Sequence, residues 1–593
     1  MSYMVLQRIG FVLLITLFPF IVTADSLMVK PNIVLILIDD GALMDLGCYG
    51  GEAKTPNIDQ LARNGTMFTH FHTSPMCAPS RAMLLTGYDS HLTGVPNLPL
   101  FLPPEYAVKE GYKGILNNKV KTIGTRLKNN GYRTYVTGKW HLGHTENTLP
   151  SKRGFDRTYI LDASGADNYE HKAYLPTQSK PPWFEDGQPI DLPTDFYSSR
   201  NLVDKMIEFQ KQSPNDGQPF FSYLAFQAIH IPVQAPKAFI DKYEGVYDEG
   251  WAKIKQTRFE KAKTLGLIPP KAKVGDMLPV LKDWEILSEE EKKFHAKTMA
   301  VNAGMLEAMD FHVGRYIEYL KQAGKFDNTV FIVTSDNGPE ASDPSQVAGM
   351  NLWLKSVGYH RDFDKLGERG SWNFIGPEFA SAAAGPSAFF KFHAGEGGIR
   401  VPLIFSGKNI PARQSKKPFS MVTDIVPTIL DIANVSKTDT EQDPQFTGKS
   451  LVPVLQNKAE IVYQPDEPIG LEAAAQSALF KGDMKLVKNG RPFGDGVWRM
   501  YNLATDPGET VDLAASEPAL FKILKADYAA YCTKYGVLEM PASYGPILEV
   551  QAKFQRKIMT VLKPILLIGL ALLGYYFFRR RRKRQLMENS GDN

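Results

Sequence analysis

The stretch Asn32-Ile-Val-Leu-Ile-Leu-Ile38 runs without a charge into Asp39-Asp40-Gly41. A continuous apolar run of this length, rich in isoleucine and closed by turn formers, fits a strand buried on both faces, the kind found in parallel sheets covered by helices. Working outward, Tyr132 to Thr137, Pro219-Phe-Phe-Ser-Tyr-Leu-Ala-Phe226 and Thr329-Val-Phe-Ile-Val-Thr334 read the same way. Helix-like segments separate them. Ile123–Asn129 stops at Gly131, Glu289 to Gln322 reads as two helices in succession, and Ile425 to Ala433 opens at Thr423-Asp424. The alternation predicts an α/β fold, a large mixed and mostly parallel sheet flanked by helices, over residues 25–465. From 466 to 545 the pattern turns to short strands, Leu479-Phe-Lys-Gly-Asp-Met-Lys-Leu486 and Arg499-Met-Tyr-Asn-Leu503, with a turn at Thr505-Asp506-Pro507-Gly508. This predicts a small antiparallel C-terminal α+β domain.

Ligands of open α/β sheets bind beyond the carboxyl ends of the strands. Asp39-Asp40 and Ser335-Asp336-Asn337-Gly338 both stand at such ends. Neighbouring carboxylates repel one another unless a cation lies between them. For the dipeptide alone, solvated turn aspartates are the simpler account. Together, two oxygen-rich strand ends could converge on one hard divalent ion, calcium or magnesium rather than zinc. A third segment, Ser74-Pro-Met-Cys77-Ala-Pro79-Ser80-Arg81-Ala-Met-Leu-Leu-Thr-Gly87, places Pro79 in the first turn of a helix. Cys77 then sits near the positive end of the helix dipole, where thiol pKa values fall and anions bind. The alternative is an ordinary buried cysteine.

Composition narrows the class. The chain has 593 residues, 43% hydrophobic and 22% charged, with a net charge of +4. Six positive charges fall in Arg579-Arg580-Arg581-Arg582-Lys583-Arg584, so the rest of the chain carries 4 − 6 = −2. A near-neutral body argues against nucleic acid as a partner. The apolar run Ile9 to Val22 followed by Thr23-Ala24 reads as a signal peptide over 1–24, cleaved before Asp25. Residues 559–578 read as a transmembrane helix and 579–593 as a basic cytoplasmic tail, which puts the body outside the cytoplasm, on the periplasmic or extracellular side. A sorting tail that is later removed has the same appearance. Three cysteines, Cys48, Cys77 and Cys532, exclude a disulfide scaffold. Pairing of Cys48 with Cys532 and a free buried Cys48 both remain open.

Cys-x-Pro-Ser-Arg at 77–81, followed by Leu-Thr-Gly at 85–87, resembles the signature of the sulfatase family, whose cysteine is converted to formylglycine. The resemblance extends through Asp39-Asp40-Gly41, Thr137-Gly-Lys139-Trp140-His141, His230-Ile-Pro232, Ser335-Asp336-Asn337-Gly338 and Gly397-Gly398-Ile-Arg400-Val-Pro402, most of residues 30–405. It implies an arylsulfatase-like enzyme with an alkaline-phosphatase-like fold, which hydrolyses a small sulfated substrate to inorganic sulfate and an alcohol or phenol.

By the same resemblance Asp39, Asp40, Asp336 and Asn337, with the modified Cys77, hold one divalent cation, usually calcium. Arg81 and Lys139 orient the formylglycine (3-oxoalanine) hydrate that serves as nucleophile. His141 acts as base in the second step, and His230 and Lys391 contact the sulfate and help protonate the leaving oxygen. A formylglycine-generating enzyme would be a partner during maturation. A phosphonate or phosphate ester hydrolase of the same superfamily is the alternative function, and an inactive binding protein a third.

Two stretches read as insertions, Lys237 to Ser288 and Pro339 to Phe390. The second, with Trp353, Trp372, Phe374 and Phe379, is expected to wall the substrate cleft and to favour an apolar or aromatic leaving group. His144 and His393 lie close enough to motif residues to be candidate substrate contacts. Thr447-Gly448-Lys449-Ser450 fails as a phosphate loop because Asp443 stands where glycine is needed.

Overall fold

The quoted run folds as β1 (Asn32–Ile38), every residue of it buried. Its alternate side chains serve two different cores. Val34, Ile36 and Ile38 enter one, and Ile33, Leu35 and Leu37 enter the other, as the two-residue strand period requires. Burying each such side chain contributes about 1.5–3 kcal/mol, so β1 alone anchors both faces of the sheet. The computed structural model describes residues 29–588, apart from 110, 177–179, 276, 348, 438–444 and 542–543. The expected signal segment 1–24 and Asp443 lie outside these residues.

Six further strands complete the centre of the sheet: β2 (Gly65–His72), β3 (Arg133–Lys139), β4 (Arg157–Leu161), β5 (Phe220–Ala225), β6 (Thr329–Ser335) and β7 (Arg400–Gly407). Their order is β2-β7-β6-β1-β5-β3-β4, with short strands added at both edges. β1 runs parallel to β5 and β6, and β3 parallel to β5 and β4. β7 runs antiparallel to both β6 and β2, which makes the sheet mixed. The β1–β6 register pairs Ile38 with Ser335, so both acidic motifs leave the sheet side by side.

One helix carries the cysteine motif and another flanks the sheet. α1 (Cys77–Thr86) is buried along its whole length and ends at Gly87, whose φ of 77° is the left-handed cap that glycine supplies. α2 (Glu289–Gln322) is one helix of 34 residues, opened by a Ser288/Glu291 capping box, and replaces the expected pair. At its centre a Cβ on Gly304 would meet the Ile240 backbone at 3.0 Å. That glycine admits a neighbouring chain and does not break the helix.

The stretch 237–288 folds largely as helix, chiefly Gly250–Thr264. The segment 339–390 does edge the cleft, through Glu340, Val347, Met350 and Phe390 among others, but the expectation for its four named aromatic residues needs correcting. Trp372, Phe374 and Phe379 are buried in the main core, Trp372 against Tyr174 and Phe379 against Trp251, where so much apolar surface is better placed than at a wet cleft. Trp353 donates its indole N–H to Tyr174 O.

The C-terminal sheet is a four-stranded antiparallel meander, β8 (Ile469–Ala473), β9 (Gln476–Lys481), β10 (Met484–Lys488) and β11 (Trp498–Asn502). α3 (Pro518–Tyr535) covers it with Leu524. The described residues from Pro31 onward form one unit. α4 (Pro546–Glu588) carries the apolar stretch 559–578. Among the described residues no helix is long and apolar enough to cross a membrane, and several side chains of that stretch lie outside them. The expected span therefore gains no support from the structure. All three cysteines are free, which settles the question of a Cys48–Cys532 bond.

Candidate active site

The site sits where β1, β3, β5 and β6 end. Asp39 and Asp40 leave β1, and Asp40 turns with a φ of 71°, a left-handed conformation that aspartate tolerates better than most residues. The loop after β5 is stitched to them: Asp39 N–H donates to Ala228 O at 2.8 Å and Ile229 N–H to Asp39 O at 2.7 Å, which carries His230 over the strand ends. From β6, Asp336 Oδ1 accepts the Asp40 N–H at 3.1 Å, and Ser335 Oγ accepts the Gly41 N–H at 2.8 Å. The serine of Cys-x-Pro-Ser-Arg closes the turn before α1. Ser80 Oγ accepts from Ser74 N–H and donates to Ser74 O, both at 3.0 Å.

Three cations interleave with four carboxylates. Arg81 donates through Nε to Asp336 Oδ2 at 2.8 Å, and its Nη2 lies 2.8 Å from the same oxygen and 3.5 Å from Asp39. Arg81 Nη1 donates to Lys139 O at 2.6 Å, which locks the end of β3. Lys139 Nζ donates to both Asp39 oxygens, at 2.9 and 2.7 Å. Lys391 Nζ lies 2.7 Å from Asp40 Oδ1 and 2.7 Å from Glu340 Oε2. All of these side chains are buried. His230 Nε2 faces Asp40 at 3.8 Å and Glu340 at 3.9 Å, while its Nδ1 is 2.6 Å from Ile231 O.

The cluster brings together all ten residues expected from sequence: Asp39, Asp40, Cys77, Arg81, Lys139, His141, His230, Asp336, Asn337 and Lys391. Ligand atoms of Asp39, Asp40 and Asp336 lie within 4.8 Å of one another, as do those of Asp39, Cys77 and His230. Glu340 is an addition that no motif revealed, although it lies two residues beyond Gly338. His393 lines the cleft, and its Nδ1 lies 3.2 Å from Lys391 O. His144 points away, with its ring 67% exposed beside Asp162.

Burial dominates the electrostatics. It pushes Asp39 well above its ordinary value against the pull of Lys139, and Asp40 up to about 6 against that of Lys391. For Asp336 and Glu340 the burial penalty is outweighed, by Arg81 and Lys391 respectively, and both are lowered. Burial, then Lys139, holds His141 well below its usual range, and burial, then Lys391, does the same to His230, so both rings are neutral at pH 7. Cys77 departs from the sequence expectation. Burial pushes its thiol up to about 12, outweighing Lys139 and Lys391, so the unmodified side chain is no thiolate nucleophile.

The donor set suits a hard cation. Three carboxylates converge, and Asn337, whose Nδ2 donates to Asp40 at 2.7 Å, keeps a buried Oδ1 with no hydrogen-bond partner. With all four acids ionised against three bases the cluster carries one negative charge; a divalent cation would turn that into one positive charge and favour the ionised forms of Asp39 and Asp40, which burial opposes.

The loop 388–398 delivers Lys391. Lys391 N–H donates to Pro339 O at 3.1 Å and Phe392 N–H to Pro75 O at 2.8 Å. Close backbone approach explains the glycines of the later motif: a Cβ on Gly397 would stand 2.2 Å from Phe389 O, and one on Gly398 2.1 Å from His393 O. Outside Lys391 opens a cleft of about 170 Å³, edged by Phe101, Tyr174, Glu340, Phe392, Phe493 and Phe554 among others. Grooves of about 890 and 660 Å³ elsewhere on the surface hold none of the cluster residues.

A family model described as Sulfatase matches residues 31–435. An uncharacterized sulfatase of Schizosaccharomyces pombe is 35% identical over 540 residues, covering 87% of this chain and 96% of the relative. An arylsulfatase of Klebsiella aerogenes is 33% identical over 410 residues, covering 68% of this chain and 87% of its own. Among solved structures, Ps i-CgsB in complex with k-i-k-neocarrahexaose superposes with a TM-score of 0.60 at 25% identity, over 88% of this chain and 97% of that one. A phosphonate monoester hydrolase of Agrobacterium radiobacter shares the fold, with a TM-score of 0.52 at 18% identity over 85% of this chain and 95% of that one.

Proposed function

The chain belongs to the sulfatase family and is a sulfuric ester hydrolase; from that premise we propose that it cleaves aryl sulfates with formylglycine made from Cys77 and one divalent cation, calcium by the family resemblance and allowed by the oxygen donors. Asp39, Asp40, Asp336 and Asn337, with the modified residue 77, would hold the cation. When both groups are present they supply a hydroxyl nucleophile for the sulfur and a positive charge against the ester oxygens.

The chain's own residues prepare that chemistry. Lys139 and Lys391 place ammonium groups on either side of the acidic cluster, where a sulfate anion is stabilised in a dry site. Arg81 is fixed by Asp336 and the Lys139 carbonyl, so it orients without reorganising. The short contact to Ile231 O assigns the His230 proton to Nδ1 and leaves Nε2 as an acceptor. Lys391 Nζ is then the proton holder for the leaving oxygen, and His230 Nε2 can take up a proton beside it but has none to donate to the ester. His141, neutral and with Nδ1 free of any hydrogen-bond partner, can accept a proton in the second step.

The convergence of Cys77 with the acid cluster carries this reading. Mass spectrometry of the peptide around residue 77 should find formylglycine when a formylglycine-generating enzyme is co-expressed. A wholly unmodified cysteine in active protein would sink the mechanism. The phosphonate hydrolase fold-mate motivates one comparison. A cluster with one net positive charge suits the singly charged sulfate or phosphonate ester better than a phosphate monoester. Nitrophenyl sulfate should be turned over well above nitrophenyl phosphate; a phosphonate ester, which charge does not separate from sulfate, is the deciding comparison, and faster turnover of it than of the sulfate would reassign the substrate. Export through residues 1–24 and anchoring through 559–578 belong to the same proposal. Release of activity by alkaline carbonate washing of membranes would refute the anchor.

A further inference from the structure

The cleft outside Lys391 draws its far wall from a remote part of the chain. α4 begins at Pro546, and its first turns bring Val550 and Phe554 to the cleft, Phe554 only 8% exposed. One residue fastens this helix. Lys553 Nζ donates to Pro99 O at 2.8 Å, Leu100 O at 3.0 Å and Leu102 O at 2.6 Å, using all three of its protons. Tyr544 OH donates to Phe101 O at 3.0 Å, so the same loop is held twice. That loop supplies Leu100 and Phe101 to the cleft.

Aromatic rings face each other across the opening. Phe101 meets Phe392 edge to face with centroids 5.2 Å apart, and Phe390 meets Phe493 at 4.9 Å. Phe392 holds a φ of 68°, an uncommon conformation for a bulky residue, so its ring is kept in the cleft against a backbone cost. A wall of this kind offers dispersion contact and few hydrogen bonds. A sugar hydroxyl placed against it would lose water without gaining a partner.

Resting on the proposed sulfatase chemistry, we infer that Phe554 and Val550 of α4, with Phe101 and Phe392, are the specificity-determining wall that selects sulfate esters with a flat apolar leaving group over sulfated sugars. Lys553 is a positioning residue that holds α4 against the 99–102 loop.

The test is a ratio of kcat/KM values, because a ratio is unaffected by the fraction of protein that folds. Full-length enzyme is assayed for sulfate release from 2-naphthyl sulfate and from glucosamine 6-sulfate. The wild type should favour the naphthyl ester. Phe554→Ala should lower the naphthyl-to-sugar ratio about tenfold, the scale of lost apolar contact in a pocket. Phe554→Leu should lower it less. Lys553→Met should raise KM for the naphthyl ester with kcat nearly kept, and Lys553→Arg should restore KM in part. A wild-type preference for the sugar, or ratios unchanged in Phe554→Ala, would overturn the wall while leaving the hydrolase intact. Release of sulfate from neither ester nor from nitrophenyl sulfate would instead overturn the underlying sulfatase chemistry.

Discussion

Replacing Lys485 by methionine tests how the C-terminal sheet is tied to the loop that delivers Lys391. Lys485 rises from β10 into full burial, with Nζ 2.9 Å from Glu396 Oε1 and 2.8 Å from Glu509 Oε1. Glu396 also meets His72 Nε2 at 3.0 Å, and its N–H donates to Glu509 Oε2 at 2.8 Å. Methionine keeps the length of the stem and removes the charge. Two carboxylates, 0% and 3% exposed, then share one hydrogen-bonded pocket without the cation between them. Breaking a buried pair by removing one partner costs about 3–5 kcal/mol; the His72 and backbone contacts survive, so about 4 kcal/mol is expected.

Adding Glu509→Gln removes one stranded charge and should recover about 1–3 kcal/mol, the coupling of neighbours in one network. Urea unfolding followed by circular dichroism measures the loss from the shift in midpoint. A loss below about 1 kcal/mol, or a double variant no better than the single one, would refute the reasoning. Acid supplies a second readout. Burial raises the Glu396 pKa, but Lys485 and then His72 pull it well below its ordinary value of 4.5. Its stabilisation is therefore present above pH 4.5 and lost only as pH falls through the lower folded value. Without Lys485 that acid limb should move upward.

Burial pulls the His91 pKa down, but the hydrogen bonds its ring N–H groups donate to Asp89 at 2.8 Å and Glu472 at 3.0 Å outweigh it and lift the value to about 9. A folded pKa above the unfolded 6.5 means full stabilisation below 6.5 and loss as pH rises through about 9, so thermal melts should fall across that window and flatten in His91→Leu. Asp336→Ala frees Arg81 and removes a cation ligand; sulfate release should drop by at least about 10²–10³, and equilibrium dialysis should show weakened calcium binding. Calcium at a hundred times its Kd should stabilise the protein by about 2.7 kcal/mol, read as a rise in melting temperature that EDTA reverses and Asp336→Ala lacks.

The cluster is legible in the sequence because its chemistry is written at strand and helix ends. Asp39-Asp40 and Asp336-Asn337 follow apolar runs that can only be central strands, and Cys77 to Arg81 open a helix. The illegible part comes from residues without such punctuation. Glu340 carries no local pattern, and its partner Lys391 rides a loop that strained and glycine residues shape. The cleft wall is assembled from Phe101, Phe392, Phe493 and Phe554, distant in sequence and joined only by packing. Aromatic content misleads at Trp372 and Phe379, since the core claims such rings before any cleft does. Gly304 shows why α2 can read as two helices: a glycine looks the same whether it ends a helix or lets a neighbouring backbone in.

The β1–β6 register sets a rule for how this enzyme can change. Asp40 and Asn337 touch although they stand 297 positions apart in the chain, yet what aligns them is a ladder of paired residues from Asn32↔Thr329 to Ile38↔Ser335. Only the loops of that span that bring no side chain to the cluster can lengthen or be exchanged with little effect on the ion cage; the loop after β5, bonded to Asp39 through Ala228 and Ile229, cannot. A single codon inserted within either strand would turn one acidic pair to the opposite face and dissolve the cage while leaving the composition of the chain almost untouched. Variation in this scaffold is therefore freest in connections remote from the cage and forbidden in the rungs.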